Sequence, residues 1–205
     1  MKLISIRLHN FRQFYGTTPE LYLASGDKNI TIFHGNNGAG KTTLLNAFTW
    51  VLYEHLTAAF ASPDSLINKR VIQEVKVGTS VDCHAELYFE HENKQYQLKR
   101  QCYACRDKNN TIQYSQSKLF MLIAGEDGRW TPPHEQPDEI INRILPESLH
   151  RYFFFDGERI DHIFRSDSKT FTPNNSLVSS AMRVLEATAP PARGSRAAPS
   201  GSTAA

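Results

Sequence analysis

Alternation of apolar and polar residues predicts several β-strands along the chain. Ile4, Ile6 and Leu8 occupy every second position of residues 3–9, which is the period of a strand with one buried face. The same alternation runs through residues 81–90 and resumes after a polar turn at 91–94. Residues 81–105 are therefore predicted to form an antiparallel hairpin. Further strands are predicted at 119–123 and, from β-branched and apolar residues, at 29–34.

Helical spacing of apolar residues follows the strand predicted at 29–34. Between Leu44 and Leu52 these residues recur without glycine or proline, which predicts a helix from about Lys41 to Glu54. A shorter helix is predicted around Ile140–Leu145, before Pro146. The run Tyr152–Phe155 is short and does not alternate, which favours a strand buried on both faces.

Length and composition suggest one domain with a tail. The chain has 205 residues, enough for one ordinary domain. From Ala187 onward, 17 of 19 residues are Ala, Pro, Gly, Ser or Thr, and the other two are Arg193 and Arg196. Such a segment has no large apolar side chains to bury, so 187–205 is predicted to be disordered. We assign 1–165 to the globular body and 166–186 to a linker or the start of an outgoing helix.

Charge narrows the possible functions. Lys and Arg number 23 against 21 Asp and Glu, a formal net charge of +2. That balance excludes a strongly basic DNA-coating protein, so any nucleic-acid contact is expected to be local. No apolar run approaches the roughly 20 residues of a membrane helix, and Arg7 and His9 interrupt the N-terminus before a signal sequence develops. We expect a cytoplasmic protein without membrane association.

A phosphate-binding loop is the strongest motif. Residues Gly35–Thr42 match G-x-x-x-x-G-K-[ST] at every fixed position and lie between a predicted strand and a predicted helix. Glycines let successive backbone N–H groups point at phosphate oxygens, and the helix presents its positive end. Lys41 is expected to reach the β- and γ-phosphates, and the Thr42 hydroxyl to ligate Mg²⁺.

Acidic residues after the aromatic run suggest a second part of the site. Asp156 follows Tyr152–Phe155 in the manner of a Walker B strand whose aspartate holds Mg²⁺. Glu158 is then a candidate for positioning the attacking water, and the chain would be a self-contained P-loop phosphotransferase. The alternative is an ordinary core strand followed by Asp156 as a helix cap.

A family resemblance favours a different function. Residues 3–14 (LISIRLHNFRQF) and 32–47 (IFHGNNGAGKTTLLNA) resemble the N-terminal ATPase half-head of the SMC-like family, which includes SbcC, RecF, RecN and the ATPase of double-strand-break repair. Residues 66–70 also resemble these heads, and 153–160 (FFFDGERI) most resembles the DndD branch of phosphorothioate-DNA systems. The resemblance covers residues 1 to about 165.

The resemblance implies a fold, cofactors and site residues. The fold would be the α/β P-loop NTPase of ABC/SMC type, with a mixed sheet and an antiparallel hairpin lobe, and the cofactors would be ATP and Mg²⁺. Lys41 would be catalytic, together with Glu158 from the Walker B interpretation. Thr42 and Asp156 would hold the metal, although the family has glutamine at the position of Asp156. The implied nucleotide-binding residues are Arg12, Asn37, Gly38, Ala39, Gly40, Lys41, Thr42 and Thr43.

Two parts of such a head are missing from the sequence. Neither a Leu-Ser-Gly-Gly signature loop nor a Walker B strand ending in Asp-Glu occurs in residues 165–205. We therefore expect an N-terminal half-head, separated from its C-terminal half by truncation, frameshift or gene splitting, that hydrolyses ATP only with that half. The family implies head-to-head dimerisation on ATP, DNA contacts, and a nuclease or DNA-modification partner. A non-catalytic ATP-binding remnant is a third possibility.

Weaker signals remain open. Cys102 and Cys105 form one C-x-x-C pair, which Cys83 and His84 could extend to a zinc site. The alternative is that these are ordinary cysteines of β-strands. The basic pairs at 69–70 and 99–100 could contact DNA phosphates or be solvated.

Overall fold

In the computed structural model, which describes residues 1–26, 29–56 and 66–154, seven strands form one sheet in which every described ladder is antiparallel. The strands are β1 (Lys2–His9), β2 (Leu21–Tyr22), β3 (Ser80–His91), β4 (Lys94–Arg106), β5 (Ile112–Tyr114), β6 (Lys118–Ala124) and β7 (Trp130–Thr131). Their order across the sheet is β2-β1-β3-β4-β6-β7, and β5 pairs with β4 beside β6.

The hairpin of β3 and β4 is the longest element of the sheet. Its register runs without interruption from the pair Ser80–Cys105 to the pair His91–Lys94. Glu92 and Asn93 connect the strands with φ of +50° and +60°, the conformation of a two-residue turn of type I′. This turn matches the right-handed twist of the strands. The predicted hairpin is confirmed.

The described residues form four α-helices and one 3₁₀ helix besides the sheet. They are α1 (Lys41–Tyr53), α2 (Lys69–Glu74), α3 (Pro137–Ile144), the 3₁₀ helix Glu147–Leu149, and α4 (His150–Phe153). The helix expected from Lys41 to Glu54 is thus confirmed, with Glu54 as its C-cap. Within the described ranges, no helix has both the length and the apolar character needed to cross a bilayer.

The core lies between one face of the sheet and α1. Ile6, Leu8 and Leu87 are fully buried on this face, and Trp50 of α1 packs against Phe11 with ring centroids 5.4 Å apart. Full burial of a side chain such as Leu87 contributes about 1.5–3 kcal/mol relative to exposure. The buried side chains of the alternating strands therefore hold α1 against the sheet, and this fixes the position of the helix N-terminus.

Arg100 is a charged residue on this inner face. Its side chain is 5% exposed and donates a hydrogen bond to the Val51 carbonyl at 3.2 Å. Because β4 turns Arg100 into the core while Lys99 faces outward, the interpretation of 99–100 as a solvated or DNA-contacting pair is wrong for Arg100.

The strand predicted at 29–34 is absent from the described structure. Ile30 is 77% exposed and Ile32 is 83% exposed. The backbone N–H of Ala24 donates to the Thr31 hydroxyl at 2.6 Å, but residues 29–34 form no ladder with a described strand. A strand requires a hydrogen-bonded neighbour, and β-branched composition alone does not supply one. This segment therefore enters the phosphate loop from outside the sheet.

The strand predicted at Tyr152–Phe155 is wrong where it can be tested. Residues 150–153 form α4, and Phe153 is 37% exposed rather than buried on both faces. The chain is already helical from Glu147 onward, after Pro146, and a short apolar run suits a helical turn as well as a strand. The self-contained phosphotransferase loses the Walker B strand on which it rested. Asp156, Glu158 and the segments 166–186 and 187–205 lie outside the described residues.

Candidate nucleotide-binding site

The loop Gly35–Gly40 turns sharply before α1. The Ala39 N–H donates to the Asn36 carbonyl at 3.1 Å, and Gly38 and Gly40 have φ of +82° and +105°. These angles favour glycine, since a side chain strains a left-handed backbone. At Gly40 there is also no room: a Cβ would lie 2.4 Å from Gln13 Nε2 and 2.9 Å from Phe14 Cζ. The motif glycine thus permits a close approach by the chain around residue 13.

Lys41 reaches back across this loop. Its Nζ donates to the carbonyl oxygens of Gly35 at 2.7 Å and Asn36 at 3.0 Å. The ammonium group is therefore held at the mouth of the loop, where it can meet an anion lying on the backbone N–H groups. Lys41 and Thr42 are both exposed, so the Thr42 hydroxyl remains accessible as an oxygen ligand for a hard cation.

The N-terminus of α1 suits a phosphate group. Its first turn contains no acidic residue, and no described side chain caps it. The first N–H groups of a helix lack intrahelical partners and carry a partial positive charge. The loop residues that precede the helix, Asn37, Gly38 and Ala39, are exposed. A nucleoside triphosphate with Mg²⁺ fits this combination of open N–H donors, the Lys41 ammonium and an oxygen ligand at Thr42.

Thr43 takes a different position from its neighbours. Its side chain is buried, at 4% residue exposure, and its hydroxyl donates to Gln13 Oε1 at 2.9 Å. Its backbone N–H lies in the first helical turn, and a contact between Thr43 and phosphate stays a prediction. Its side chain instead joins α1 to the loop that follows β1.

Arg12 lies in that loop, in a strained conformation. Its φ is +53°, which is uncommon for a residue other than glycine, and its N–H donates to the Leu66 carbonyl at 2.8 Å. The Arg12 carbonyl accepts a hydrogen bond from the Asn68 side chain. Partial burial lowers the pKa of the guanidinium from its ordinary value. The fold thus brings the backbone of residues 12–14 to the phosphate loop, and a contact between the Arg12 side chain and phosphate stays a prediction.

Gln13 was not among the residues predicted from sequence. Its side chain accepts a hydrogen bond from Thr43 and lies beside Gly40, although thirty residues separate it from Thr43 in the chain. The signal that could have found it was its place next to Arg12 in the segment that carries the family resemblance.

The far end of α1 contacts the chain that leads to Asp156. The Tyr53 hydroxyl donates to the Leu145 carbonyl at 2.9 Å, and burial raises the pKa of that hydroxyl well above its usual range. Phe154 stacks on Phe48 with ring centroids 6.2 Å apart. Phe154 therefore packs against the phosphate-loop helix two residues before Asp156. The roles of Asp156 and Glu158 stay predictions.

The cysteines form an apolar pair rather than a metal centre. Cys83 and Cys102 lie opposite each other on β3 and β4, at 0% and 5% exposure, and burial raises the pKa of the Cys83 thiol. In the part of the chain that the structure describes, no three His, Cys, Asp or Glu residues are placed to hold a metal ion. The zinc interpretation finds no support in these residues.

Comparison with known proteins identifies the family of this chain. A family model described as an AAA domain matches residues 5–186, nearly nine-tenths of the chain. The chain belongs to the AAA domain family. The predicted SMC-like N-terminal ATPase head and its α/β P-loop NTPase class are confirmed. Assignment of this AAA domain to the DndD branch stays a prediction.

The proteins that are similar to this AAA domain include the following two. The first is the "DNA double-strand break repair Rad50 ATPase" of Pyrococcus abyssi (strain GE5 / Orsay), 27% identical over 173 residues. The alignment covers 82% of this chain and only 17% of that ATPase. The second is a chain from work described as "Structural biochemistry of ATP-driven dimerization and DNA stimulated activation of SMC ATPases", at 17% identity and a TM-score of 0.41, covering 71% of this chain and 78% of the other.

Proposed function

We propose that this chain is the ATP-binding half of a cytoplasmic SMC-like ATPase that acts on DNA. ATP would bind with Mg²⁺ in the loop Gly35–Thr42, with Lys41 on its phosphates and Thr42 on the metal. The observation that carries the proposal is the Lys41 ammonium, held across a glycine loop at an uncapped helix N-terminus that contains no acid. Such a site offers positive charge and N–H donors to an anion, and no acidic side chain lies in the first turn of the helix.

The segment before the loop supports the need for a complementing C-terminal half. Ile30, Ile32 and Phe33 are 77%, 83% and 40% exposed and precede the phosphate loop directly. An exposed apolar segment of β-forming residues is suited to pair with a strand that another part of the head would supply. Hydrolysis needs groups around the γ-phosphate beyond Lys41 and Thr42, so we propose that turnover requires this half.

DNA and protein partners follow from the relative and the resemblance. The Pyrococcus abyssi relative is named for DNA double-strand break repair, and this chain covers 17% of its length. We propose a role in such repair or, from the DndD resemblance, in DNA-modification defence, with a nuclease or DNA-modification partner and ATP-dependent head-to-head dimerisation. DNA contacts would be local and independent of sequence, as the net charge of +2 suggests.

Calorimetric titration with Mg·ATP tests the binding site. Lys41→Ala removes a cation from the phosphates and should weaken binding at least about tenfold, since hydrogen bonds to charged groups contribute about 1.5–3 kcal/mol. Lys94→Ala is the matched control, because Lys94 is an exposed lysine at the start of β4, and it should bind as the wild type does. A wild-type chain that does not bind Mg·ATP, or equal affinity in Lys41→Ala, would contradict the proposal.

Turnover tests the need for a second half. Single-turnover hydrolysis by this chain should be slow or undetectable, with or without DNA, and should rise when the complementing half is added. Rapid hydrolysis by the chain alone would overturn the half-head and restore the self-contained P-loop enzyme.

A further inference from the structure

We propose that Gln13 is a further nucleotide-binding residue, whose side-chain amide N–H donates to phosphate beside Gly40. This inference rests on the proposed ATP site and adds a contact from outside the motif to it. It starts from the contact between the loop after β1 and the first turn of α1.

The orientation of the amide follows from Thr43. The Thr43 hydroxyl donates to Gln13 Oε1 at 2.9 Å, which occupies the acceptor end of the amide. The donor end, Nε2, then points to the other side, toward Gly40. Thr43 is buried and belongs to a helix that packs in the core, so the group that orients Gln13 is itself fixed.

The position of Nε2 places it at the entrance of α1. It lies 2.4 Å from where a Cβ of Gly40 would stand, and Gly40 is the N-cap of the helix. The backbone N–H groups of the first turn converge on the same region. An anion bound to these groups lies within reach of a donor placed beside the N-cap residue. The absence of a side chain at Gly40 thus gives Gln13 access to the phosphate site.

The backbone that carries Gln13 is held by several contacts. The Arg12 N–H donates to the Leu66 carbonyl, and the Asn68 N–H donates to the Asn10 carbonyl, each at 2.8 Å. Phe11 is fully buried and forms a bridge with Ile67. A donor carried on a fixed backbone loses little conformational entropy when the ligand binds. Gln13 is exposed, so its amide is accessible to a nucleotide from solvent.

A double-mutant cycle distinguishes a phosphate contact of Gln13 from a purely structural role in which Gln13 only joins its loop to Thr43 of α1. Gln13→Met removes the amide while keeping a side chain of similar length, and Thr43→Val removes its partner. If Gln13 donates to phosphate, Gln13→Met should weaken Mg·ATP binding about tenfold in the wild type and by a smaller but measurable factor in the Thr43→Val background, where the amide has lost the partner that orients it. Inorganic triphosphate, which lacks base and ribose, should show the same loss. Tyr15→Phe is the matched control in the same loop as Gln13. It removes the hydrogen bond that the Tyr15 hydroxyl donates to Glu74 of α2, and its affinity for Mg·ATP should change less than about twofold.

Contrary results are equally defined. A loss that disappears in the Thr43→Val background, or that affects ATP and not triphosphate, overturns the phosphate contact. A spectroscopic measurement keeps the test valid if Thr43→Val does not fold. The side-chain amide signal of Gln13 in a ¹H–¹⁵N spectrum, assigned through Gln13→Met, should shift at saturating Mg·ATP, and an unmoved signal overturns the inference.

The proposed function and the Gln13 inference fail in different ways. If the wild type binds Mg·ATP and Lys41→Ala weakens it while Gln13→Met does not, only the Gln13 contact is wrong. If the wild type binds neither ATP nor triphosphate, both proposals are overturned.

Discussion

Replacement of Arg100 tests how the phosphate-loop helix is attached to the sheet. The Arg100 guanidinium donates to the Val51 carbonyl at 3.2 Å and contacts the carboxylates of Glu54 at 3.5 Å and Asp138 at 3.3 Å. Val51 lies in the last turn of α1, Glu54 is its C-cap and Asp138 lies in the first turn of α3. A cation at a helix C-terminus is favourable, so Arg100 joins two helix ends to β4.

The size of the effect follows from burial. Breaking a fully buried ion pair costs about 3–5 kcal/mol, because the remaining charge has no partner. Here Glu54 and Asp138 are 56% and 69% exposed and regain water, which reduces the loss. For Arg100→Ala we expect the free energy of unfolding to fall by about 2–3 kcal/mol, mainly from the lost Val51 bond and the cavity. Arg100→Met fills most of the volume without a buried charge and should cost about 1 kcal/mol.

Urea unfolding followed by tryptophan fluorescence measures this difference. Trp50 is 2% exposed in α1, next to Val51, whose carbonyl accepts the hydrogen bond from Arg100, and its emission should move to longer wavelength on unfolding. The m-value should be unchanged between the variants, so that the midpoints report stability. A loss below about 1 kcal/mol for Arg100→Ala, or an Arg100→Met variant no more stable than Arg100→Ala, would refute the reasoning.

Two further predictions concern a carboxylate and the thiols. Burial raises the pKa of the Glu86 carboxyl, but the hydrogen bond from Arg7 at 2.6 Å and the nearby positive charges outweigh it, so that pKa lies below its usual range. The stability it contributes is present above the unfolded glutamate pKa of about 4.3 and is lost as pH falls through the folded value. Glu86→Gln should therefore flatten the acid limb of unfolding free energy against pH below about pH 5, and an unchanged limb would count against this assignment. Iodoacetamide should modify Cys105 in the native protein before Cys83 or Cys102, which are 0% and 5% exposed, as mass spectrometry of the peptides would show; equal rates would contradict their burial.

Local patterns predicted the elements whose determinants lie close together in sequence. The hairpin follows from alternation and from a two-residue turn at Glu92 and Asn93, and α1 follows from its apolar spacing after the glycine loop. The segment 29–34 has the composition of a strand, but a strand is defined by its neighbour, and no single segment encodes that neighbour. At residues 150–153 a helical turn carried over from Glu147 prevails over aromatic content.

The candidate site divides in the same way. Lys41 and Thr42 are fixed by a motif of eight consecutive residues, so sequence alone placed them on the loop and the helix. The contacts of Gln13 with Thr43 and of Arg100 with Glu54 join residues 30 and 46 positions apart. Their partners depend on how β1 and β4 lie against α1. These contacts become visible only once the sheet is assembled.

The phosphate loop is anchored by buried residues at its α1 end, while the segment before it pairs with no described strand, and this difference affects the free energy of ATP binding. The helix side is fixed by buried residues such as Leu44 and Ala47, whereas residues 29–34 form no ladder with a described strand. Ordering the backbone costs about 1–2 kcal/mol per residue at 25 °C. If a complementing half pairs with 29–34, it bears that cost before ATP arrives, and ATP then binds more tightly. By thermodynamic linkage, ATP then raises the affinity for the complementing half by the same factor as that half raises the affinity for ATP.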